Sequence, residues 1–176
     1  NNVVFNAGRA IYKLDSSWKR VFAYSVNNMQ FISDIAVDVN NDIYVVDYRY
    51  NVLTSAVVKL NPQGIPIWSS QSFPNNNRPR IELDPSGNPI VFTHYYNPFD
   101  PNEGLYTYLI KHNGSDGSNM EETFLKDTFS YAPTGAIRPA SQIDFSISDD
   151  NQILVFANSN YEQGFWISKS IEGLDF

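Results

Sequence analysis

The chain has 176 residues, 42% of them hydrophobic and 18% charged, which is an ordinary composition for a globular protein. Its net charge is -7 and its 12 basic residues form no extended cluster, so nucleic acid and anionic membranes are poor candidate partners. It contains no cysteine, which excludes disulfides, thiolate metal sites and cysteine nucleophiles, and no run of roughly 18 apolar residues that would insert into a membrane.

One pattern recurs four times along the chain, in units that cover residues 1–30, 31–76, 77–130 and 140–176. Each complete copy runs apolar strand, tight turn, apolar strand, variable loop, apolar strand and a second turn. The copies at 33–70 and 80–116 read SDIAVDVNNDIYVVDYRYNVLTSAVVKLNPQGIPIWSS and RIELDPSGNPIVFTHYYNPFDPNEGLYTYLIKHNGSD. The first copy is NNVVFNAGRAIYKLDSSWKRVFAYS, and the last is QIDFSISDDNQILVFANSNYEQGFWISKSIEGLDF.

The copies align on their turns. Asp38, Asp84 and Ser148 coincide, and the triplet at 13–15 falls on those at 59–61 and 111–113. Asp84 follows Asp38 by 46 residues, but Ser148 follows Asp84 by 64. The surplus lies mainly in 118–140, which we predict to be an inserted loop.

Apolar residues alternate with a period of two inside each unit, which predicts short β-strands. Four strands in a unit of about 45 residues is the size of a propeller blade, whose faces are buried against its neighbours. We predict innermost strands at 34–38, 80–84 and 142–147, and outermost strands at 18–25 and 66–72. The predicted fold is an all-β, β-propeller-like array of four-stranded antiparallel meanders, with about three and a half blades present.

The segment IAVDVNNDIYVV followed by AVVKLNPQGIPIW resembles the repeat of bacterial seven-bladed β-propellers. That repeat has an Asp–turn–strand hairpin and then a Lys-Leu-Asp/Asn-x-x-Gly turn followed by an aromatic residue. The tail at 169–176 departs from it and is similar to a degenerate Asp-box of sialidase-like propellers, with Glu172 and Phe176 in place of Asp and Trp. Both resemblances imply propeller geometry, and neither implies a reaction.

The first unit lacks an innermost strand and the fourth stops after its third strand. An open array would expose strand edges and an apolar face. We therefore expect the chain to be part of a larger propeller or to be completed by copies of itself.

Four charged residues are expected at the channel end of the innermost strands: Asp34, Arg80, Glu82 and Asp144. They predict either a clamp for a polar ligand or a structural ion pair between neighbouring blades. A glycosidase-like enzyme would use two such carboxylates, with Asp84 as a further candidate.

The segment 38–42 has the D-x-N-x-D spacing of a calcium loop, but isoleucine follows where glycine is required and the distal glutamate is missing. We predict a hairpin turn there instead. His94 and His112 are expected to be packing or surface residues. We predict no metal site, no cofactor and no catalytic residue.

Aromatic and polar side chains concentrate in two loops, at 48–51 and 94–100, which join the second and third strands of adjacent units. Such side chains anchor contacts at low entropy cost. The predicted partner-binding residues are Tyr48, Arg49, Tyr50, Tyr95, Tyr96 and Phe99.

The leading interpretation is a non-catalytic structural or binding module, extracellular, on a cell surface or in a virion, which presents these loops to a protein or glycan. Two alternatives are a fragment of a carbohydrate-active propeller enzyme and a self-assembling surface or virion subunit. The sequence leaves the ligand and the total blade number open.

Overall fold

The computed structural model describes residues 2–25, 31–49, 53–74, 78–96, 105–126, 130–131, 138–139, 142–150, 152–158 and 165–168. These residues form β-strands, turns and bends, with no helix among them. Within the same ranges there is accordingly no helix with the length and apolar character needed to cross a bilayer.

In chain order the strands are β1 (Val3–Ala7), β2 (Ala10–Leu14), β3 (Arg20–Ser25), β4 (Phe31–Val37), β5 (Ile43–Tyr48), β6 (Thr54–Ser55), β7 (Val57–Leu60), β8 (Pro66–Ser69), β9 (Phe73–Pro74), β10 (Arg80–Leu83), β11 (Pro89–Tyr96), β12 (Leu105–His112), β13 (Asn119–Lys126), β14 (Ser130–Tyr131), β15 (Arg138–Pro139), β16 (Gln142–Ile147), β17 (Ile153–Asn158) and β18 (Phe165–Ser168).

The strands form four successive antiparallel meanders. The first sheet is β1-β2-β3, the second β4-β5-β7-β8, the third β10-β11-β12-β13 and the fourth β16-β17-β18. Two short pairs, β6-β9 and β14-β15, accompany them. The predicted all-β array of four-stranded meanders is confirmed.

The second sheet buries both of its faces, because side chains alternate along every strand. In the second sheet, Ile43 and Val45 pack in one cluster with Ile11 of the first sheet, whereas Tyr44 and Val46 pack with Ile81 of the third. All of these side chains are almost fully buried. Because both faces are buried, apolar and polar side chains do not alternate along residues 43–47, in which Asp47 is the one charged residue.

We call the contact between the first and second sheets the first junction, and that between the second and third sheets the second junction. The innermost strands lie side by side, with β10 against both β4 and β16. Consecutive meanders that pack face to face with adjacent innermost strands form a propeller-like array.

The predicted strand positions agree with the structure within a few residues, and β16 matches its predicted bounds. The predicted insertion needs correction. The segment 118–140 contains β13, which pairs with β12 from His112↔Asn119 to Tyr106↔Lys126 and completes the third sheet. The surplus therefore begins only after β13, where β14 and β15 lie.

Candidate functional site

Four turns at one end of the sheets share one hydrogen-bond pattern, and we call this the turn end. In each, a side-chain oxygen of the first residue accepts the backbone N–H groups of the third and fifth, and the fourth residue has a positive φ. The turns are 15–19, 38–42, 61–65 and 84–88. The hairpin predicted at 38–42 is thus confirmed, since Asp38 uses its carboxylate to close its own turn.

In each of the first two sheets, a lysine near the end of the strand before the turn at 15–19 or 61–65 makes a link to the next sheet. Lys13 Nζ donates to the Pro62 carbonyl at 3.0 Å, and Lys59 Nζ donates to the Gly114 carbonyl at 3.1 Å. Pro62 and Gly114 each follow the first residue of the turn that receives the lysine. The repeat therefore builds the same inter-sheet contact twice, and we call it the lysine latch.

An aromatic ring accompanies each latch. A Cβ built on Gly64 would lie 2.8 Å from the ring of Phe22, and one built on Gly117 would lie 2.5 Å from that of Trp68. Both glycines have positive φ values, 81° and 76°. Glycine is required at these turn positions both by the backbone conformation and by the ring of the preceding sheet.

The turn end also contains two well-buried ion pairs. Lys111 Nζ lies 2.9 Å from Asp84 Oδ2, and Lys59 Nζ lies 3.1 Å from Asp42 Oδ2. Burial alone would raise the pKa of Asp84, but hydrogen bonds from Lys111 and Asn88 hold that pKa below its ordinary value. Burial opposes the charge of Lys59, yet Tyr44 and Asp42 raise its pKa.

A cleft of about 590 Å³ opens between these turns. Its walls come from residues 38–40, 84–88 and 113–115, and Tyr44 and Lys59 also line it. Many of its polar groups already act in the turns and the latch: Tyr44 Oη donates to the Gly87 carbonyl at 3.3 Å, for example. In the described ranges no cluster of three or more His, Asp or Glu side chains is arranged to hold a metal ion.

The predicted channel residues bridge two innermost strands. Arg80 Nη1 lies 3.8 Å from Asp34 Oδ2, and the same oxygen accepts the Ile81 backbone N–H at 3.2 Å. Asp34 therefore joins β4 to β10, as the ion-pair alternative predicted. Glu82 is exposed on β10, while the side chain of Asp144, a β16 residue, lies outside the described part.

The opposite end of the sheets, which we call the loop end, contains a buried carboxylate that the sequence analysis missed. Asp47 is fully buried. Its carboxylate accepts hydrogen bonds from Arg49 Nε at 2.5 Å and from the Ala56 backbone N–H at 2.5 Å. Burial raises the pKa of Asp47, and Arg49 counteracts part of that rise. Arg49 also forms a backbone bridge with Thr54, so the base of the 50–53 loop is closed.

The structure corrects the predicted extent of the loops. Tyr48 belongs to β5, and Tyr95 and Tyr96 belong to β11, which pairs with β12 as far as Tyr96↔Leu105. Tyr50 and Phe99 lie outside the described residues. Of the six predicted contact residues, Arg49 is the one that both lies at the edge of a loop and has a described side chain. That side chain is 28% exposed.

His112 is buried inside the second junction, 6.0 Å from the ring of Phe73 between ring centroids. Neither ring nitrogen has a well-formed hydrogen bond. Burial lowers its pKa to about 4, although the nearby Gly117 backbone opposes part of that effect. The alignment of His112 with Leu14 and Leu60 was a signal that this side chain is buried.

The packed meanders define the chain as an all-β protein of propeller-like architecture. No family model and no curated protein sequence matches it. Solved structures with a similar fold include the following two. A Bacteroides caccae protein of unknown function has a TM-score of 0.45 and 8% identity over 92% of this chain and 69% of its own. The Dos1 propeller has a TM-score of 0.44 and 19% identity; the match covers 89% of this chain and 35% of that one.

Proposed function

We propose that the chain is a non-catalytic binding module that presents the loop end of its second and third sheets to a protein or glycan partner. The observation that carries this proposal is the closed base of the 50–53 loop. Asp47, buried beneath it, receives hydrogen bonds from both sides of the loop, through Arg49 and Ala56. A loop held at its base loses less conformational entropy on binding a partner than a free one.

Arg49 is the residue through which the loop would engage a partner. Its Nε is fixed by Asp47, and its Nη1 lies 3.5 Å from the hydroxyl of Ser72. The guanidinium has five donor positions, so a fixed and partly exposed arginine can still donate to a carboxylate or to sugar hydroxyls.

The experiment screens the purified chain against an immobilised oligosaccharide panel and a displayed peptide library. For any ligand that is enriched, we expect Arg49→Ala to weaken binding by about tenfold or more, as loss of an interface arginine commonly does. Arg20→Ala is the matched control, because Arg20 is an exposed arginine at the turn end of the first sheet, away from the loop end.

Asp47→Asn tests the loop base separately. It preserves the shape of the side chain but removes the charge that orients Arg49, so it should weaken binding while the unfolding transition stays cooperative. Ligands whose binding responds to Arg20→Ala and ignores both loop-end variants would place the binding surface elsewhere and overturn the proposal.

A further inference from the structure

The first sheet carries an apolar face that no other described part of the chain covers. Val3 is 42% exposed, Phe5 39% and Val21 53%, although all three lie within strands. The ring of Phe5 stacks on that of Tyr12, with 5.4 Å between centroids. A sheet face of this kind is costly to leave in water.

The register of the strands shows what kind of surface this face is built to receive. The cross-strand pairs Val3↔Leu14 and Phe5↔Tyr12 of the first sheet correspond, position by position, to Ile43↔Leu60 and Val45↔Val58 of the second. The four residues of the second sheet are at most 6% exposed, because the first sheet covers them. The outer face of the first sheet therefore has the composition of a covered junction.

The fourth sheet has, at the matching register positions, the residue types that a complementary surface requires. In the second sheet, the face toward the next sheet is formed by Val46 and Val57, which are paired across β5 and β7. In the fourth sheet the equivalent cross-strand pair is Phe156↔Ile167, and no described sheet follows it in the array. Large apolar residues thus occupy the register positions that cover a neighbour in the earlier sheets.

We propose that the fourth sheet of one copy of this chain docks on the outer face of the first sheet of a second copy. The two surfaces differ, so the contact is head-to-tail, and it generates a closed ring or an open chain of copies. The contact repeats the geometry of the first junction between molecules. It leaves Arg49 and the loop end uncovered, so it is independent of the proposed binding function.

Trp18 adds a feature that distinguishes this junction. In the turn 15–19 it occupies the position that Gly64 has in the turn 61–65, and its φ is 63°. In the second sheet, the ring of Phe22 packs at that position. The side chain of Trp18 is 74% exposed. At the proposed contact the aromatic ring is therefore that of Trp18 on the first sheet, and it packs on the fourth sheet of the other copy. At the first junction, by contrast, a glycine at this position leaves space for the aromatic ring of the preceding sheet.

The experiment measures the mass of the full chain by sedimentation over a concentration series. We expect oligomers whose mass rises with concentration. Phe5→Glu should weaken the association by about a hundredfold, because a carboxylate buried without a partner is strongly unfavourable. Val39→Glu is the matched control, since Val39 is 96% exposed at the turn end and its replacement should leave the mass unchanged.

Mixing distinguishes head-to-tail docking from pairing of two identical faces. A Phe5→Glu copy retains an intact fourth sheet, so it should join wild-type chains at one end and lower their mean mass. If first sheets paired with each other, the variant would stay out of the oligomers and the wild-type mass would not change. That result would overturn the proposal.

Trp18→Gly provides a variant with little risk of misfolding, because glycine adopts a positive φ without strain. We expect it to weaken association without lowering the denaturation midpoint. A wild-type chain that remains monomeric at every concentration, or a Trp18→Gly chain that assembles as the wild type and the Val39→Glu control do, would contradict the proposed contact.

Discussion

The first and second junctions use the same register positions with different chemistry. At the first junction an apolar cluster around Ile11 and Leu60 is closed by one lysine latch, and Phe22 lies on Gly64. At the second junction the equivalent aromatic is Trp68, whose Nε1 donates to the Gly114 carbonyl at 3.2 Å. The carbonyl of Gly114 therefore accepts hydrogen bonds from both Lys59 and Trp68.

The difference shows how a repeat can keep its packing geometry and still vary in specificity. An apolar junction tolerates small changes in shape, because its stability scales with buried area. A junction with buried charges and shared acceptors depends on each partner, because losing one leaves a polar group unsatisfied. We therefore expect single substitutions and pH to affect the second junction more than the first.

The largest effect should come from the two aromatic residues. Trp68→Ala removes a ring that packs on Tyr44 and Gly117 together with one hydrogen bond, so we expect a loss of about 4 kcal/mol in the free energy of unfolding. Phe22→Ala removes the ring alone and should cost about 2–3 kcal/mol. Denaturant titration measures both, and Trp68→Phe should recover all but about 1 kcal/mol of the loss. Equal losses for the two alanine variants would contradict the comparison.

The pH response should come mainly from the second junction through His112. Its pKa is about 4 in the folded chain and near 6.5 when unfolded, so below pH 6.5 the unfolded state binds a proton that the folded state does not. Stability should therefore fall as the pH drops from about 6.5 to about 4, by on the order of 3 kcal/mol. Urea denaturation at several pH values measures this.

His112→Leu is the matched variant for the pH prediction, because leucine occupies the equivalent positions Leu14 and Leu60. It should remove most of the slope in that pH range and should stabilise the chain at acid pH. If the variant retained the wild-type slope, the titrating group would lie elsewhere in the molecule.

The lysine latches should show a smaller difference. Lys59→Met leaves the Gly114 carbonyl and Asp42 without their lysine partner, and we expect a loss of about 2 kcal/mol. Lys13→Met removes the hydrogen bond to the Pro62 carbonyl and should lower the free energy of unfolding by about 1 kcal/mol. Added salt should reduce the Lys59 effect more than the Lys13 effect, because an ion pair is screened and a contact to a carbonyl much less so. Equal costs with equal salt dependence would mean that Asp42 contributes nothing.

The sequence predicted the repeat, the strands and the hairpin at 38–42, because those depend on local alternation and turn chemistry. The alignment also brought Lys13, Lys59 and Lys111 into register, but only as markers of turns. The contacts of Lys13 and Lys59 were missed because a lysine beside a turn usually faces solvent, and the acceptor lies 49 or 55 residues away on another sheet. No local pattern specifies which carbonyl the next sheet brings within reach.

The same limit explains the errors at the loop end. Tyr95 and Tyr96 continue β11 because β12 remains beside them, and the sequence contains no residue there that would end a strand. Asp47 was overlooked because an aspartate within a strand carries no signal of burial until Arg49 and Ala56 are placed around it. At Asp34 and Arg80 the sequence left two alternatives open, and the contact between β4 and β10 brings the pair together.

The smallest expected effect concerns that ion pair. The Asp34 and Arg80 side chains are 26% and 37% exposed and their charged atoms are 3.8 Å apart, so solvent screens much of the attraction. Asp34→Asn keeps an oxygen that accepts the Ile81 N–H, and the loss should stay below about 1 kcal/mol. A double-mutant cycle with Arg80→Gln isolates the pair, and its coupling should shrink further in high salt. A coupling of several kcal/mol would instead place this pair among the buried contacts of the second junction.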